Sequence, residues 1–296
     1  LHYPLRRQRQ MCIRDSIEPE HSLIGQLQAQ GFKPYLIDWC DTAAQMQNFD
    51  DYVTTVTEQL LPALLNHSQV KETAVIGICQ GGVIALKAAQ LAVSSIQNLH
   101  LLVTPLQFDT PHDYLSQWAK CAKVKLNKSM NDIFQDDPHE TISAGGLNLW
   151  FHYLKPYPLR IGKYLSWLIE PANAEALTLR LTMEHWLMCG PSLNLSALAQ
   201  YQQDVVHKNE LVEQVSELSS QLPVQIIAAT QDHIVPELSS IPAGIANTKM
   251  HVERVHTGHI GLLMGKSHQF VAQKIAEFAA CHTTNGLKTA TVASEN

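Results

Sequence analysis

Gly77-Ile78-Cys79-Gln80-Gly81-Gly82 has the form of a nucleophile turn, G-x-S-x-G, with cysteine where serine usually stands. A thiol in that place does acyl transfer, provided a base takes its proton and a third group orients the base. The glycines two before and two after the cysteine are expected to remove side chains that would clash around a strained turn. Later segments supply the partners. Asp232 lies within Thr230-Gln231-Asp232-His233-Ile234-Val235-Pro236, and His259 within His256-Thr257-Gly258-His259-Ile260-Gly261. The order along the chain is then nucleophile, acid, base. Cys79, Asp232 and His259 are the expected catalytic residues, and the backbone N–H of Gln80 is the expected first oxyanion donor.

Each position also has an ordinary reading. A lone cysteine is most often a small buried hydrophobe, but such a residue would not need flanking glycines. Asp232 alone reads as a turn residue capping the next helix. His233 stands beside the acid, and His256 ends a strand, so both are weaker rivals for His259. Asp38 and Asp109 read as turn or helix-capping residues at strand ends, with a secondary functional role left open.

Free cysteine titrates near 8.5, so only a few per cent is thiolate at neutral pH. His259 would accept the proton, Asp232 would fix its tautomer, and the start of the helix after Cys79 would add positive dipole. Transfer from a coenzyme A thioester to a cysteine yields another thioester. The acyl group keeps its activation and can pass to a hydroxyl, whereas a serine ester would lose that driving force. The cysteine therefore favours acyl transfer over ester hydrolysis.

The elements that must position these groups follow from pattern. Thr73–Ile78 reads as the buried strand entering the turn, and Val83–Leu91 as the helix leaving it. Before them, His21–Gln30 reads as a helix closed by Gly31, Tyr35–Asp38 as a short buried strand, and Asp51–Asn66 as a helix with Val53, Val56, Leu60 and Leu64 inward. Leu99–Val103 is a further strand, cut by Thr104-Pro105. Late in the chain come strand Val224–Ala229, helix Ser239–Ala246, strand Met250–Val255 and helix His268–Ala280. This alternation implies a mostly parallel sheet covered by helices. Residues 110–217 show no strand pattern and read as an inserted, mainly helical cap, carrying Trp118, Trp150, Trp167 and Trp186 with Phe151, Tyr153, Tyr157 and Tyr164. The core is then 17–109 and 218–281.

With 296 residues and 45% hydrophobic content, the chain suffices for one large α/β domain with an inserted cap. A formal net charge of −6 gives no reason to expect nucleic acid. No apolar run approaches the roughly 18 residues of a membrane span, and no signal-peptide pattern opens the chain, so the cytoplasm is expected. The 6 cysteines form no C-x-x-C pair, and His256 and His259 flank a turn, so no metal and no cofactor is expected. Residues 1–16 are basic and aperiodic and read as not belonging to the fold, with the native start missing. Residues 282–296 read as a disordered polar tail.

Gly77-Ile78-Cys79-Gln80-Gly81-Gly82, Tyr35-Leu36-Ile37-Asp38-Trp39, Val103-Thr104-Pro105, Phe108-Asp109-Thr110-Pro111, Met183-Glu184-His185-Trp186, Asp232-His233-Ile234-Val235-Pro236 and Gly258-His259-Ile260-Gly261 together resemble the poly(3-hydroxyalkanoate) synthases. The likeness is to the catalytic subunit of the short, two-subunit class III enzymes and runs from about residue 20 to 280. The resemblance implies an α/β-hydrolase fold and a triad of Cys79, Asp232 and His259. It implies polymerisation of (R)-3-hydroxyacyl-CoA, with 3-hydroxybutyryl-CoA expected, into polyhydroxyalkanoate with release of coenzyme A. In that family the aspartate is assigned to activating the incoming 3-hydroxyl, with the histidine serving the cysteine. A homodimer, a second non-catalytic subunit and residence at cytoplasmic granules are also implied. Cys40 and Cys189-Gly190-Pro191 depart from the family's pattern. Residues 1–16 show nothing like the family's earlier strand, whose loop gives the second oxyanion donor. A thioesterase or depolymerase on the same scaffold, and a truncated inactive relative, are the alternatives.

Overall fold

The computed structural model describes residues 22–39, 45–111, 192–242, 250–264 and 267–282, with 113, 116, 141–143, 145, 181 and 245 between them. In chain order the elements are α1 (Leu23–Ala29), α2 (Phe49–Thr54), a π-helical turn (Thr55–Leu60), α3 (Leu61–Ser68), β1 (Thr73–Ile78) and α4 (Gln80–Leu91). There follow β2 (Ile96–Leu102), β3 (Thr141–Ile142), β4 (Leu193–Asn194), α5 (Leu195–Tyr201), a second π-helical turn (Gln202–His207) and α6 (Leu211–Ser219). The chain closes with β5 (Val224–Ala229), α7 (Glu237–Ser240), β6 (Met250–Val255), α8 (Gly261–Met264) and α9 (His268–Cys281).

Among the described residues four strands form one parallel sheet in the order β1-β2-β5-β6. Its central strands are covered on both faces, which is why Leu99, Leu101, Leu102, Ile226 and Ile227 are uniformly apolar and sealed. One face carries Phe49, Val53, Leu86, Tyr201, Val205, Leu211 and Val215. The other carries Leu23 and Leu27 of α1 with Val271, Ala272 and Ile275 of α9. β6, the edge of this sheet among the described residues, instead reads Met-His-Val-Glu-Arg-Val, with His251 and Arg254 exposed, a charged edge of the kind that resists further pairing.

The expected helices and strands around β1, α4, β2, β5, β6 and α9 appear within a few residues of their expected bounds. Gly31 sits at φ +88° after α1, the left-handed position that ends a helix. Four expectations change. Tyr35–Asp38 is not a strand: residues 32–39 carry no ladder, and Leu36 is 75% exposed. A short apolar run becomes a strand only beside a partner, and among the described residues β1 pairs with β2 alone. The inward stripe of the 51–66 helix breaks at Leu60, which is exposed while Leu61 is buried. The π turn at 55–60 inserts one residue per turn and rotates the face by one position. The helix expected at 239–246 is one turn, Glu237–Ser240. Pro242 forces Ile241 out of the helical region, to φ −122° and ψ 79°.

The span read as a strandless cap holds the antiparallel pair β3–β4. Helices α5 and α6, inside the same span, pack into the core through Tyr201, Leu211, Val215 and Leu218. The aromatic residues expected to line the cap, Met183–Trp186, Cys40, Cys189 and residues 1–16 lie outside the described residues.

Candidate active site

Cys79 stands between β1 and α4 at φ 52° and ψ −125°, a conformation that L-residues rarely adopt. Two backbone bonds hold it there: its N–H donates to Leu102 O at 2.9 Å, and Gly82 N–H donates to its carbonyl at 2.9 Å. A second strained residue sits alongside, Val103 at φ 42°, just past the end of β2. The turn depends on close approach of α4 to the sheet. A Cβ on Gly77 would fall 2.5 Å from Gly82 Cα, and one on Gly82 would fall 1.9 Å from Thr104 Oγ1. A Cβ on Gly81 would meet nothing within 4 Å. The expectation that the glycines two before and two after Cys79 both avoid clashes therefore holds for Gly77 and fails for Gly81, where Gly82 takes that part. Gly81 faces outward on the first turn of α4, whereas Gly82 faces β2. Gln80 is the first residue of α4, so its N–H has no acceptor within the helix.

Asp232 and His259 reach this turn from the ends of β5 and β6. Gln231 N–H donates to Thr257 O at 3.0 Å and Thr230 N–H to Val255 O at 2.9 Å, which stitches their two loops together. His259 Nδ1 lies 2.6 Å from Asp232 Oδ2. Asp232 Oδ1 accepts from Ile234 N–H at 2.7 Å and Val235 N–H at 2.9 Å. The capping role and the partnership with His259 thus coexist, one on each carboxylate oxygen. The Asp232 side chain is 0% exposed and that of His259 14%. The carboxylate is sealed and its reach into any open space passes through the imidazole.

Burial opposes a charge on His259, but the sulfur of Cys79 and the carboxylate of Asp232 outweigh it. Both act by charge and by hydrogen bonding, and they hold its pKa up at about 10. Cys79, His259 and Asp232 are in this way brought into one interacting set. His256 faces elsewhere, with its ring nitrogens at Thr230 Oγ1 (3.2 Å) and Gln231 Nε2 (3.1 Å). His233 is exposed. Asp38 lies in the exposed 32–39 segment. Asp109 lies seven residues past the end of β2 at φ 67°, its N–H donating to Ser116 Oγ at 2.9 Å. Among the described residues no three His, Cys, Asp or Glu side chains cluster in a way that would hold a metal ion.

Two long-range pairings carried no sequence signal. Asn209, itself at φ 53°, grips the Phe108 backbone in both directions, accepting from its N–H at 2.8 Å and donating to its carbonyl at 3.3 Å. Tyr201 packs its ring 5.0 Å from that of Phe49. Burial raises its pKa well above the usual phenol range, with Cys79 and Asp113 acting in the same direction. Only folding brings these pairs together.

The sequence model of a family described as "alpha/beta hydrolase fold" matches residues 18–265. The chain is similar to a Thiocystis violacea protein named "Poly(3-hydroxyalkanoate) polymerase subunit PhaC", 29% identical over 279 residues, 88% of this chain and 75% of the relative. A protein of the same name from Allochromatium vinosum is 29% identical over 275 residues, with the same coverage. One from Synechocystis sp. is 27% identical over 278 residues, 88% of this chain and 72% of the relative. The resemblance expected from the motifs is borne out by these relatives. Among solved structures, a monoacylglycerol lipase of Paleococcus ferrophilus aligns at a TM-score of 0.49 and 14% identity over 88% of each chain.

Proposed function

The chain belongs to the α/β-hydrolase family, and on that premise we propose that it is an acyltransferase that polymerises (R)-3-hydroxyacyl-CoA through an acyl group carried on Cys79. The observation that carries this reading is a cysteine held at φ 52° at the head of α4, with His259 and Asp232 as its interacting partners. A merely buried cysteine would have no use for that strained turn or for an oriented imidazole.

His259 takes the thiol proton, and the thiolate attacks the thioester carbonyl while the Gln80 N–H faces the developing oxyanion. Coenzyme A leaves and takes the proton from His259. The incoming 3-hydroxyl then gives its proton to His259 and attacks the acyl thioester, which forms an ester and frees Cys79. Because both Asp232 oxygens are occupied and the side chain is sealed, hydroxyl activation runs through His259, with Asp232 orienting it. No cofactor takes part; the coenzyme A thioester is substrate. No helix among the described residues is long and apolar enough to cross a membrane. The relatives' name supports a poly(3-hydroxyalkanoate) product and a place as one subunit of an assembly; the motif resemblance alone extends this to 3-hydroxybutyryl-CoA as substrate, a homodimer, a second non-catalytic subunit and residence at cytoplasmic polyhydroxyalkanoate granules.

The test is coenzyme A release from (R)-3-hydroxybutyryl-CoA by the chain and by Cys79→Ala, with the product recovered. Release that needs Cys79 and leaves insoluble polyester is the expected result. Cys79-dependent release that yields free 3-hydroxybutyrate alone would make the protein a thioesterase instead.

A further inference from the structure

Leu102 and Val103 share one peptide group that is held from both sides. Its carbonyl accepts the Cys79 N–H at 2.9 Å, and its N–H donates to Ile227 O on β5 at 2.8 Å. The peptide therefore links the nucleophile turn to the strand that leads to Asp232. A carbonyl oxygen has two lone pairs, and Thr104 takes the second: its hydroxyl donates to Leu102 O at 3.3 Å. Leu102, Val103 and Thr104 are all sealed, so water does not compete for that oxygen.

The chain has to bend sharply to bring the hydroxyl back over a carbonyl two residues earlier. Leu102 is still in register with Ile78 on β1 and Ile227 on β5. Thr104 precedes Pro105, whose ring disfavours the helical region for it. The reversal falls on Val103, a β-branched residue at φ 42°. Such strain persists only where the surroundings over-determine it. The same bend lays the Thr104 side chain on the bare face of Gly82, where a Cβ would fall 1.9 Å from its Oγ1. Gly82 N–H in turn donates to the Cys79 carbonyl at 2.9 Å. One side chain thus meets both ends of the nucleophile turn. In a purely apolar packing role valine would serve, having the same shape and no polar atom to satisfy. We propose that Thr104 is a positioning residue for Cys79: its hydroxyl fixes the Leu102 carbonyl, and through it the Cys79 backbone and the adjoining Gln80 N–H. The inference rests on the acyl-enzyme reading above and adds to it a residue sealed away from substrate.

Three substitutions separate the hydroxyl from the packing. Thr104→Ser keeps the hydroxyl and deletes a methyl group. Thr104→Val keeps the branched shape and deletes the hydroxyl. Thr104→Ala deletes both and adds no bulk against Gly82. The measurement is the single-turnover rate at which (R)-3-hydroxybutyryl-CoA loads Cys79, read by intact mass, with the melting temperature of each variant. Loading by Thr104→Val and Thr104→Ala is expected to slow about 10-fold or more, with kcat reduced and KM little changed. Thr104→Ser is expected to recover most of that rate although it melts below the unaltered chain. Were Thr104 only packing, the order would follow apolar volume, with Thr104→Val the fastest and Thr104→Ala the slowest. Loading by Thr104→Val or Thr104→Ala within about threefold of the unaltered chain, or by Thr104→Ser as slowly as by Thr104→Ala, would overturn the proposal. Alkylation of Cys79 by iodoacetamide, followed on its peptide, reads the same nucleophile without an acyl substrate and should give the same order. If the unaltered chain takes no acyl group while alkylation keeps that order, the acyl-enzyme reading fails and the positioning of Cys79 by Thr104 stands. Alkylation at equal rates in all four proteins overturns the positioning alone.

Discussion

Gly81 and Gly82 are neighbours on the first turn of α4, and alanine should act on them with opposite sign. At Gly81 a Cβ meets open space, so alanine gains helix propensity and restricts the unfolded chain, worth about 0.5–1 kcal/mol of added stability. At Gly82 the new Cβ would lie 1.9 Å from Thr104 Oγ1, 2.6 Å from its Cγ2 and 2.8 Å from its Cβ. Thr104 is 0% exposed and β-branched, so it has no open space to turn into. Rotating Thr104 relieves the first two contacts and leaves the third. Helix α4 must then retreat from β2 by several tenths of an ångström and take Gln80 and Cys79 with it. Overpacking of this kind costs about 1–3 kcal/mol, and moving a nucleophile costs activity beyond the loss of stability. Urea denaturation of both variants, with coenzyme A release measured on each, reads both effects. Thr104→Ala deletes Oγ1 and Cγ2, so Gly82→Ala combined with Thr104→Ala should recover about 1 kcal/mol or more of the loss as a favourable coupling. Equal stability of Gly82→Ala and Gly81→Ala, or strictly additive energies in the double variant, would refute the packing argument.

Buried His100 lies with Nδ1 2.7 Å from Gln225 Oε1 and Nε2 2.7 Å from Asn98 Oδ1, and burial chiefly lowers its pKa to about 4. The unfolded chain, at 6.5, binds the proton more readily. Stability from this group is full above pH 6.5 and falls away towards pH 4, by about 3 kcal/mol at most. Urea melts across that window should show the slope, and His100→Gln should flatten it. An unchanged slope would exclude His100 as its source. Asp232→Asn would present an amide N–H to His259 Nδ1 and favour the wrong tautomer. Loading of Cys79 and chain elongation should both fall, by about 10²–10⁴-fold, and selective loss of elongation would contradict the route through His259. Cys79→Ala removes a main cause of the raised His259 pKa, so its NMR titration should move down from about 10; an unmoved value would contradict the coupling.

Much of this architecture is legible from local pattern, and what is not has a common cause. β5 and β6 are apolar or alternating runs bounded by turn residues, and their bounds follow directly from the sequence. Asp232 and His259 each follow such a strand, so parallel topology alone brings their loops to one edge. The segment 35–38 has the same apolar character as a strand but lacks the ladder beside it, and no local rule sees a neighbour. Gly82 looks equivalent to Gly81 until Thr104, 22 positions later, is packed against it. The π turn at 55–60 has no residue signature, yet it moves burial from Leu60 to Leu61. Tyr201 is one aromatic among many in a stretch read as cap, and its packing on Phe49 arises only when α5 docks on α2. Pairings within a turn or a strand can be read from residue order; pairings made by docking of whole elements cannot.

The most direct test of the central claim is to mix the chain with a stoichiometric amount of (R)-3-hydroxybutyryl-CoA, quench, and map the acyl group by peptide mass. The acyl-enzyme account predicts one hydroxybutyryl group on the peptide containing Cys79, lost into insoluble polyester when excess thioester is added. An acyl group on any other residue, or coenzyme A release with none on Cys79, would contradict it.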